Sequence, residues 1–430
     1  MDETDKFAWT NLQIILVVRR FPCKCTFSVP QDFSRNIMTT ETIEVNSVKS
    51  RTSAKIRLVY VDILRVAIVM LVVAHHAGQA YGPTGGNWPI TNPTSSPLLG
   101  PFFAVNSMFF MGLFFLISGY FVPRSYDRKG AADFLQGRFI RLGIPTLFFA
   151  LFVFGPMIYF SLDERLSFTE YVGYLYDSGW QVPYVHLWFL LHLLLYSFGY
   201  LLWRQIRKRL NSRETAVPLP THRTILIFAI ALALISFVVR IWYPIDRWAP
   251  LLYLIPAEIA HLPQYVALFA LGIMAYRGDW LRKFSTRTGM IWLGIGLLAA
   301  VAYYVYALWG AKLLVGVLGT RITASGGLDW RSLVYSSWEA LVCVGLVIGL
   351  LILFRERIDK QPGALLAAMI GAAYAVYIIH WLVVVGIQIG FDAFDLAPFV
   401  KFVLVTILAI ALSFGIGHLA RKIPGAKKIL

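Results

Sequence analysis

Charge is what this sequence has least of. Only 14% of its 430 residues are Asp, Glu, Lys or Arg, where a soluble globule carries roughly a quarter. Acidic residues are the scarcer kind, 23 against 39 Lys and Arg, for a net charge of +16. Cysteine is scarce too. Cys23 and Cys25 are too small a ligand set for a zinc site, and Cys343 sits inside an apolar run, so no disulfide framework follows. Residues 1–37 do not read as a cleavable leader, because Ile14–Val18 is a short apolar stretch with no small-residue cleavage site after it. What fills the space left by charge is apolar: 58% of the chain is hydrophobic, more than one soluble core can use. A basic excess suits nucleic acid when it is gathered on one solvated face. Here the Lys and Arg come in short clusters between apolar runs, which argues against a nucleic-acid partner and for the loops of a membrane protein.

A spanning helix needs about 20 mainly apolar residues. Ten such runs are present, near 58–80, 101–122, 144–161, 185–203, 224–242, 252–275, 288–309, 333–354, 367–388 and 398–420. The sixth carries Pro256, Glu258, His261 and Pro263 and is the least regular. The loops test this count. Segments 49–57, 123–143, 203–223, 276–287, 355–366 and 421–430 would share one side and hold 26 Lys and Arg, whereas the five segments on the other side hold five. Because positive residues stay inside, the expectation is an all-α, polytopic helix bundle in the lipid bilayer of the inner (plasma) membrane. Both termini are then cytoplasmic. Residues 1–50 read as a poorly ordered cytoplasmic tail, with Met38 a possible true start, and 51–430 as the transmembrane domain. The basic, amphipathic stretch 131–143 is expected to lie flat on the inner leaflet.

Ionisable side chains inside spans are expensive, so each is a functional candidate. In the first span, YVDILRVAIVMLVVAHHAG, Arg65 and His76 are eleven residues apart, about three helical turns, and share one face roughly 16 Å apart. His75 is rotated off that face by about 80°. Asp62 lies one turn before Arg65 and can neutralise it. The plain alternative is that Arg65 snorkels and the His pair caps the helix end. Depth separates these groups into two layers. His76, His186, Glu258, His261 and His380 fall in the outer half of the bilayer, whereas Arg65, Arg124, Arg138 and Arg141 fall in or near the inner half. A histidine can take a proton from an acceptor hydroxyl, and inner arginines can hold phosphates of a cytoplasmic donor. His186 and Trp188 suit acceptor binding or interface anchoring equally, and Glu258, His261 and His380 join the acceptor-side candidates. His192 reads as a residue satisfying a neighbouring helix, and Tyr374 and Tyr377 as packing. No set of residues suggests a metal.

These residues also resemble a known family. RLVYVDILRVAIVMLVVAHH, MGLFFLISGYFVPRSY, FLQGRFIRLGIPTLFF, HLWFLLHLLLYS and AYAVYIIHW, in that order from about 57 to 390, are similar to the acyltransferase 3 family of membrane proteins. IPAEIAHLPQYVALFALGIMAYRGDW resembles members of its glucan-modifying branch. The resemblance implies about ten spans and transfer of an acyl group, acetyl or succinyl, from acyl-CoA as co-substrate to a hydroxyl of an extracytoplasmic acceptor, commonly a carbohydrate. It implies that Arg65 and His76 are essential, that Arg138 and Arg141 are the basic segment before the third span, and that Ser118 and Gly119 are the SGY element, taken as donor-binding. Ser118 beside Gly119 also suits close helix approach. Two departures stand out: the doubled histidine, and Ala373 where members often have serine. A competing class is a secondary transporter whose buried Arg, Glu and His relay protons. Such proteins often show internal repeats, and the Arg–His element of the first span has no counterpart later. A silent membrane scaffold leaves titratable groups on four spans unexplained.

Overall fold

The computed structural model describes residues 58–83, 88–161, 167–177, 184–210, 217–323 and 326–429. The expected tail, 1–50, lies outside them. Ten helices among the described residues are long and apolar enough to cross a membrane. They are α1 (Val59–Gly78), α2 (Leu99–Lys129), α3 (Ala131–Tyr159), α4 (Val185–Arg209) and α5 (His222–Arg240), then, after two short strands, α6 (Ile259–Arg277), α7 (Thr286–Leu318), α8 (Trp330–Ile358), α9 (Ala364–Asp392) and α10 (Pro398–Ala420). Each coincides with one of the ten apolar runs. The reason is the one that makes hydropathy informative: in hydrocarbon a backbone must bond within its own segment, so an apolar run of this length becomes a helix.

Two boundaries differ from expectation. The sixth run was expected to be helical from 252. Instead β1 (Trp248–Leu251) turns back as β2 (Ile255–Glu258), pairing antiparallel with Trp248 opposite Glu258 and Leu251 opposite Ile255. Leu252 and Tyr253 at the tip have φ of 54° and 58°. Pro256 explains the delay: proline holds its neighbour extended and removes a donor. Pro263, by contrast, falls in the first turn of the regular helix that starts at Leu262, where its missing N–H costs nothing. The second difference is 131–143. It is not a separate surface helix but the first turns of α3, passing through a wider π turn at Phe139–Gly143 without a break.

The bundle is organised around α2, whose apolar window is 78% buried, against 22% for α7 at the periphery. Helix α2 packs along α6, α7 along α8, and α9 along α10, while α1 lies against α8, α9 and α10. Small residues set the closest approaches, as expected where van der Waals packing drives association. A Cβ on Gly119 would stand 2.1 Å from the Phe269 carbonyl oxygen, and one on Gly272 would stand 2.1 Å from that of Leu116. The outer faces are leucine and isoleucine: Ile227, Ile230, Leu234 and Ile235 of α5 are exposed, a surface suited to lipid tails.

Candidate active site

Three histidines from distant parts of the chain meet at one end of the bundle. His76 comes from the last turns of α1, His186 from the single 3-10 turn that opens α4, and His380 from the middle of α9. Ring centroids are 4.9 Å apart for His76–His380, 4.5 Å for His186–His380 and 6.2 Å for His76–His186. His76 Nδ1 lies 3.0 Å from His380 Nε2 and 3.1 Å from the Val72 carbonyl oxygen. His380 Nδ1 lies 2.8 Å from the carbonyl of Tyr377, and His186 Nε2 donates to the carbonyls of Tyr377 and Ile378 at 2.9 and 3.1 Å. Tyr377 closes the arrangement, its hydroxyl donating to the His186 carbonyl at 2.6 Å. His380 is fully buried and His186 nearly so, whereas His76 keeps partial exposure. The other face of the His76 ring stacks on Trp88, 5.6 Å away and tilted by 21°. Trp88 is held in turn: its Nε1–H donates to Gln388 Oε1 at 2.7 Å, and Gln388 donates to the Ala77 carbonyl at 3.1 Å.

His75, its ring 5.7 Å from that of His76, faces away from His186 and His380. Its ring packs among Phe102, Phe103 and Phe110, as its 80° rotation from the Arg65 face anticipates.

At the other end of α1 the chemistry is cationic. Arg65 lies 3.7 Å from Asp62 and keeps 41% of its side-chain surface accessible. Arg141 is within electrostatic reach of both Arg65 and Arg138, and the Tyr374 hydroxyl of α9 donates to the Arg141 carbonyl. Among the described residues the carboxylate at ion-pair distance from this group is Asp62, which faces Arg65.

The remaining candidates gather elsewhere. Glu258 and His261 belong to a second cluster, with His261 Nδ1 2.8 Å from Glu258 and its Nε2 3.1 Å from Glu339 of α8. Glu339 is ion-paired with Arg240 of α5, which is fully buried and donates to Ser336 at 2.9 Å. Asp246, whose backbone N–H donates to Glu258 at 2.9 Å, is pushed above the usual carboxylate range by burial and by Glu258 beside it. Trp188 leans towards this cluster, stacked on Tyr265, which stacks on His261. The acceptor-side candidates are thus split, His186 and His380 beside His76, and Trp188, Glu258 and His261 around Glu339. His192 bonds the Pro256 carbonyl at 3.0 Å and the Tyr196 hydroxyl at 3.2 Å, tying α4 to the hairpin. Gly119 sits at the α2–α6 crossing, with Ser118 partly exposed beside it. Sequence reasoning missed Trp88, Gln388, Tyr377, Arg240 and Glu339. The first lies in a polar loop, and the carboxylate of α8 is a single charge in a long apolar run, a signal that intramembrane charge alone would have supplied. An apolar cavity of about 280 Å³ between α5, α6 and α8, lined by residues such as Phe228, Leu268 and Ile348, contains neither arginine nor histidine and stands apart from both clusters.

Comparison with known proteins decides the family. The profile described as "Acyltransferase domain", that of acyltransferase 3, matches residues 58–418. The chain belongs to the acyltransferase 3 family. Among curated proteins it is similar to the "Glucans biosynthesis protein C" of Salmonella heidelberg (strain SL476), 27% identical over 260 residues, with 58% of this chain and 65% of that protein covered. The protein of the same name from Salmonella agona (strain SL483) is 28% identical over 261 residues, with the same coverage. The matched stretch thus spans 65% of the length of these relatives. No solved structure gives a significant match. The arginine and histidine of the first-span motif, Arg65 and His76, lie on α1.

Proposed function

We propose that this protein is an O-acyltransferase of the inner (plasma) membrane, with both termini cytoplasmic. It passes an acetyl or succinyl group from cytoplasmic acyl-CoA to a hydroxyl of an extracytoplasmic carbohydrate, a glucan being the acceptor that the relatives' name favours. The observation that carries this reading is the polarity of α1. One end presents Arg65 among arginines with a single facing carboxylate, and the other presents His76, itself only partly buried. Phosphates are the natural counter-charge for the first, since planar guanidiniums bind them with paired hydrogen bonds. A general base is the natural use of the second.

In this mechanism Arg65, Arg138 and Arg141 hold the donor's phosphates, and its thioester reaches along α1 towards His76. Ser118 and Gly119 belong to the donor side of the path, and Asp62, counted with Arg65 and His76 as catalytic, neutralises Arg65. His76 takes the proton of the acceptor hydroxyl as that oxygen attacks the thioester carbonyl. The C–S bond breaks, the thiolate leaves, and the proton passes from His76 to the thiolate. His186, Trp188, Glu258 and His261 remain acceptor-side residues, the last three through the hairpin they hold. No step calls for a metal.

The test is turnover by purified protein in lipid nanodiscs, read as free thiol released from acetyl-CoA or succinyl-CoA with linear glucose oligosaccharides present. His76→Ala should lower transfer by 10²-fold or more, the range of general-base catalysis, with the melting profile unchanged. Full activity in that variant removes His76 from the mechanism. Vesicle uptake of the oligosaccharide without thioester consumption sinks the transferase reading in favour of transport.

A further inference from the structure

The hydrogen-bond polarity around His76 leaves one self-consistent arrangement of protons. A backbone carbonyl only accepts, so His76 Nδ1, 3.1 Å from the Val72 oxygen, carries the hydrogen. By the same logic His380 Nδ1, 2.8 Å from the Tyr377 oxygen and 3.2 Å from that of Val376, carries the hydrogen of its own ring. In the neutral ring its Nε2 is then a lone pair. The 3.0 Å contact between His76 Nδ1 and His380 Nε2 therefore runs in one direction, with His76 donating and His380 accepting. His76 Nε2 is consequently the basic nitrogen. It has no hydrogen-bond partner among the described residues, yet it is not among the buried unsatisfied atoms, so it opens onto accessible space.

We infer that His380 is a positioning residue that fixes the tautomer and ring direction of His76, serving the role an orienting acceptor plays behind a catalytic imidazole. This rests on the transferase reading, in which His76 is the base. His380 receives its own orientation from α9, because Tyr377 O holds its Nδ1–H and also accepts from His186. One carbonyl thereby aligns two of the three rings. When His76 gains a proton on Nε2 it becomes a double donor, and its Nδ1–H points at two acceptors, Val72 O and His380 Nε2. The arrangement supports imidazolium without placing a carboxylate at this depth. Trp88 limits rotation from the opposite face, stacked at 5.6 Å. The acceptor-binding role assigned to His380 from its depth is replaced here by one directed at His76.

Two variants and one spectrum test the inference. His380→Leu removes the acceptor at similar volume, and kcat in the nanodisc assay with acetyl-CoA and glucose oligosaccharides should fall about 100-fold. KM for the oligosaccharide should stay within about twofold. His380→Gln keeps an amide oxygen near the Nε2 position and should recover at least tenfold of the loss. Wild-type kcat in His380→Leu overturns the inference, and so does a loss that appears only in KM, which marks His380 as an acceptor contact. Independently of turnover, ¹⁵N spectra of histidine-labelled wild-type protein at neutral pH should show His76 protonated on Nδ1 and bare on Nε2. The opposite tautomer overturns the inference whatever the variants do. An active His76→Ala instead removes His76 as the base on which this inference rests, and leaves the tautomer to be judged by the spectrum.

Discussion

Replacing Arg240 by leucine should be among the most destabilising single changes in this protein. Arg240 has no exposed surface, pairs with Glu339, donates to Ser336 Oγ at 2.9 Å and reaches the Ala260 carbonyl at 3.4 Å. Leucine fills much of the volume but strands Glu339, itself buried, against His261 alone on its remaining side at 3.1 Å. Breaking a buried pair by removing one partner costs about 3–5 kcal/mol, because a charge is left uncompensated at low dielectric. That is a large share of a total stability on the order of 5–15 kcal/mol. The same reasoning says that taking away the stranded charge should give much of it back. Arg240→Leu combined with Glu339→Gln should therefore be about 2 kcal/mol more stable than Arg240→Leu alone, a coupling within the range of directly contacting residues. The assay is reversible unfolding of the four proteins of the cycle in bicelles. Additive losses, or a cost below about 1 kcal/mol for Arg240→Leu, would refute the claim that this pair acts as a buried charge network.

Three further outcomes are expected. Gly119→Ala should prevent α2 from seating on α6, since its methyl would stand 2.1 Å from a backbone oxygen that cannot swing aside; the loss should be about 3 kcal/mol or more, read as a fall in folded yield. Gly294→Ala, with nothing within 4 Å, should match or exceed wild-type stability by up to about 1 kcal/mol from helix propensity. Arg65→Ala should raise KM for acetyl-CoA about 10-fold or more, the worth of one charge-assisted hydrogen bond, with the KM for the oligosaccharide unchanged. An unchanged donor KM would place the phosphates elsewhere.

How much of this was legible beforehand follows from what each signal measures. Ten helices were readable because hydrocarbon demands internal backbone bonding, and apolar length reports that directly. Pro256 hid the hairpin: an apolar run containing a proline reads as a weak helix, and the pairing that makes it two strands depends on Trp248–Leu251, which lies outside the run. Depth alone brought His76, His186 and His380 into one layer. It could not separate them from Glu258 and His261, because two residues at equal depth on different helices are told apart by helix rotation, which follows from packing. Trp88 and Gln388 escaped for the same reason, their partnership joining residues 300 apart in sequence.

The two charge clusters make opposite statements about function. Around Glu339 the charges face one another within the protein: of three carboxylates, Glu258 and Glu339 lie within ion-pair distance of His261, Glu339 also pairs with Arg240, and Asp246 sits beside Glu258. A set whose opposite charges already face one another has little electrostatic reason to recruit a ligand, and its effect is to lock α5, α6 and α8 around the hairpin. Around Arg65 the ledger stays open. Arg138 and Arg141 stand near it with Asp62 as the facing carboxylate, 3.7 Å from Arg65. Cations at this depth need compensation from water, a paired group or an arriving anion, and Arg65 keeps 41% of its side-chain surface accessible. The difference between a paired network and an open one, more than the number of buried charges, separates the groups that hold this bundle together from those proposed to hold the donor.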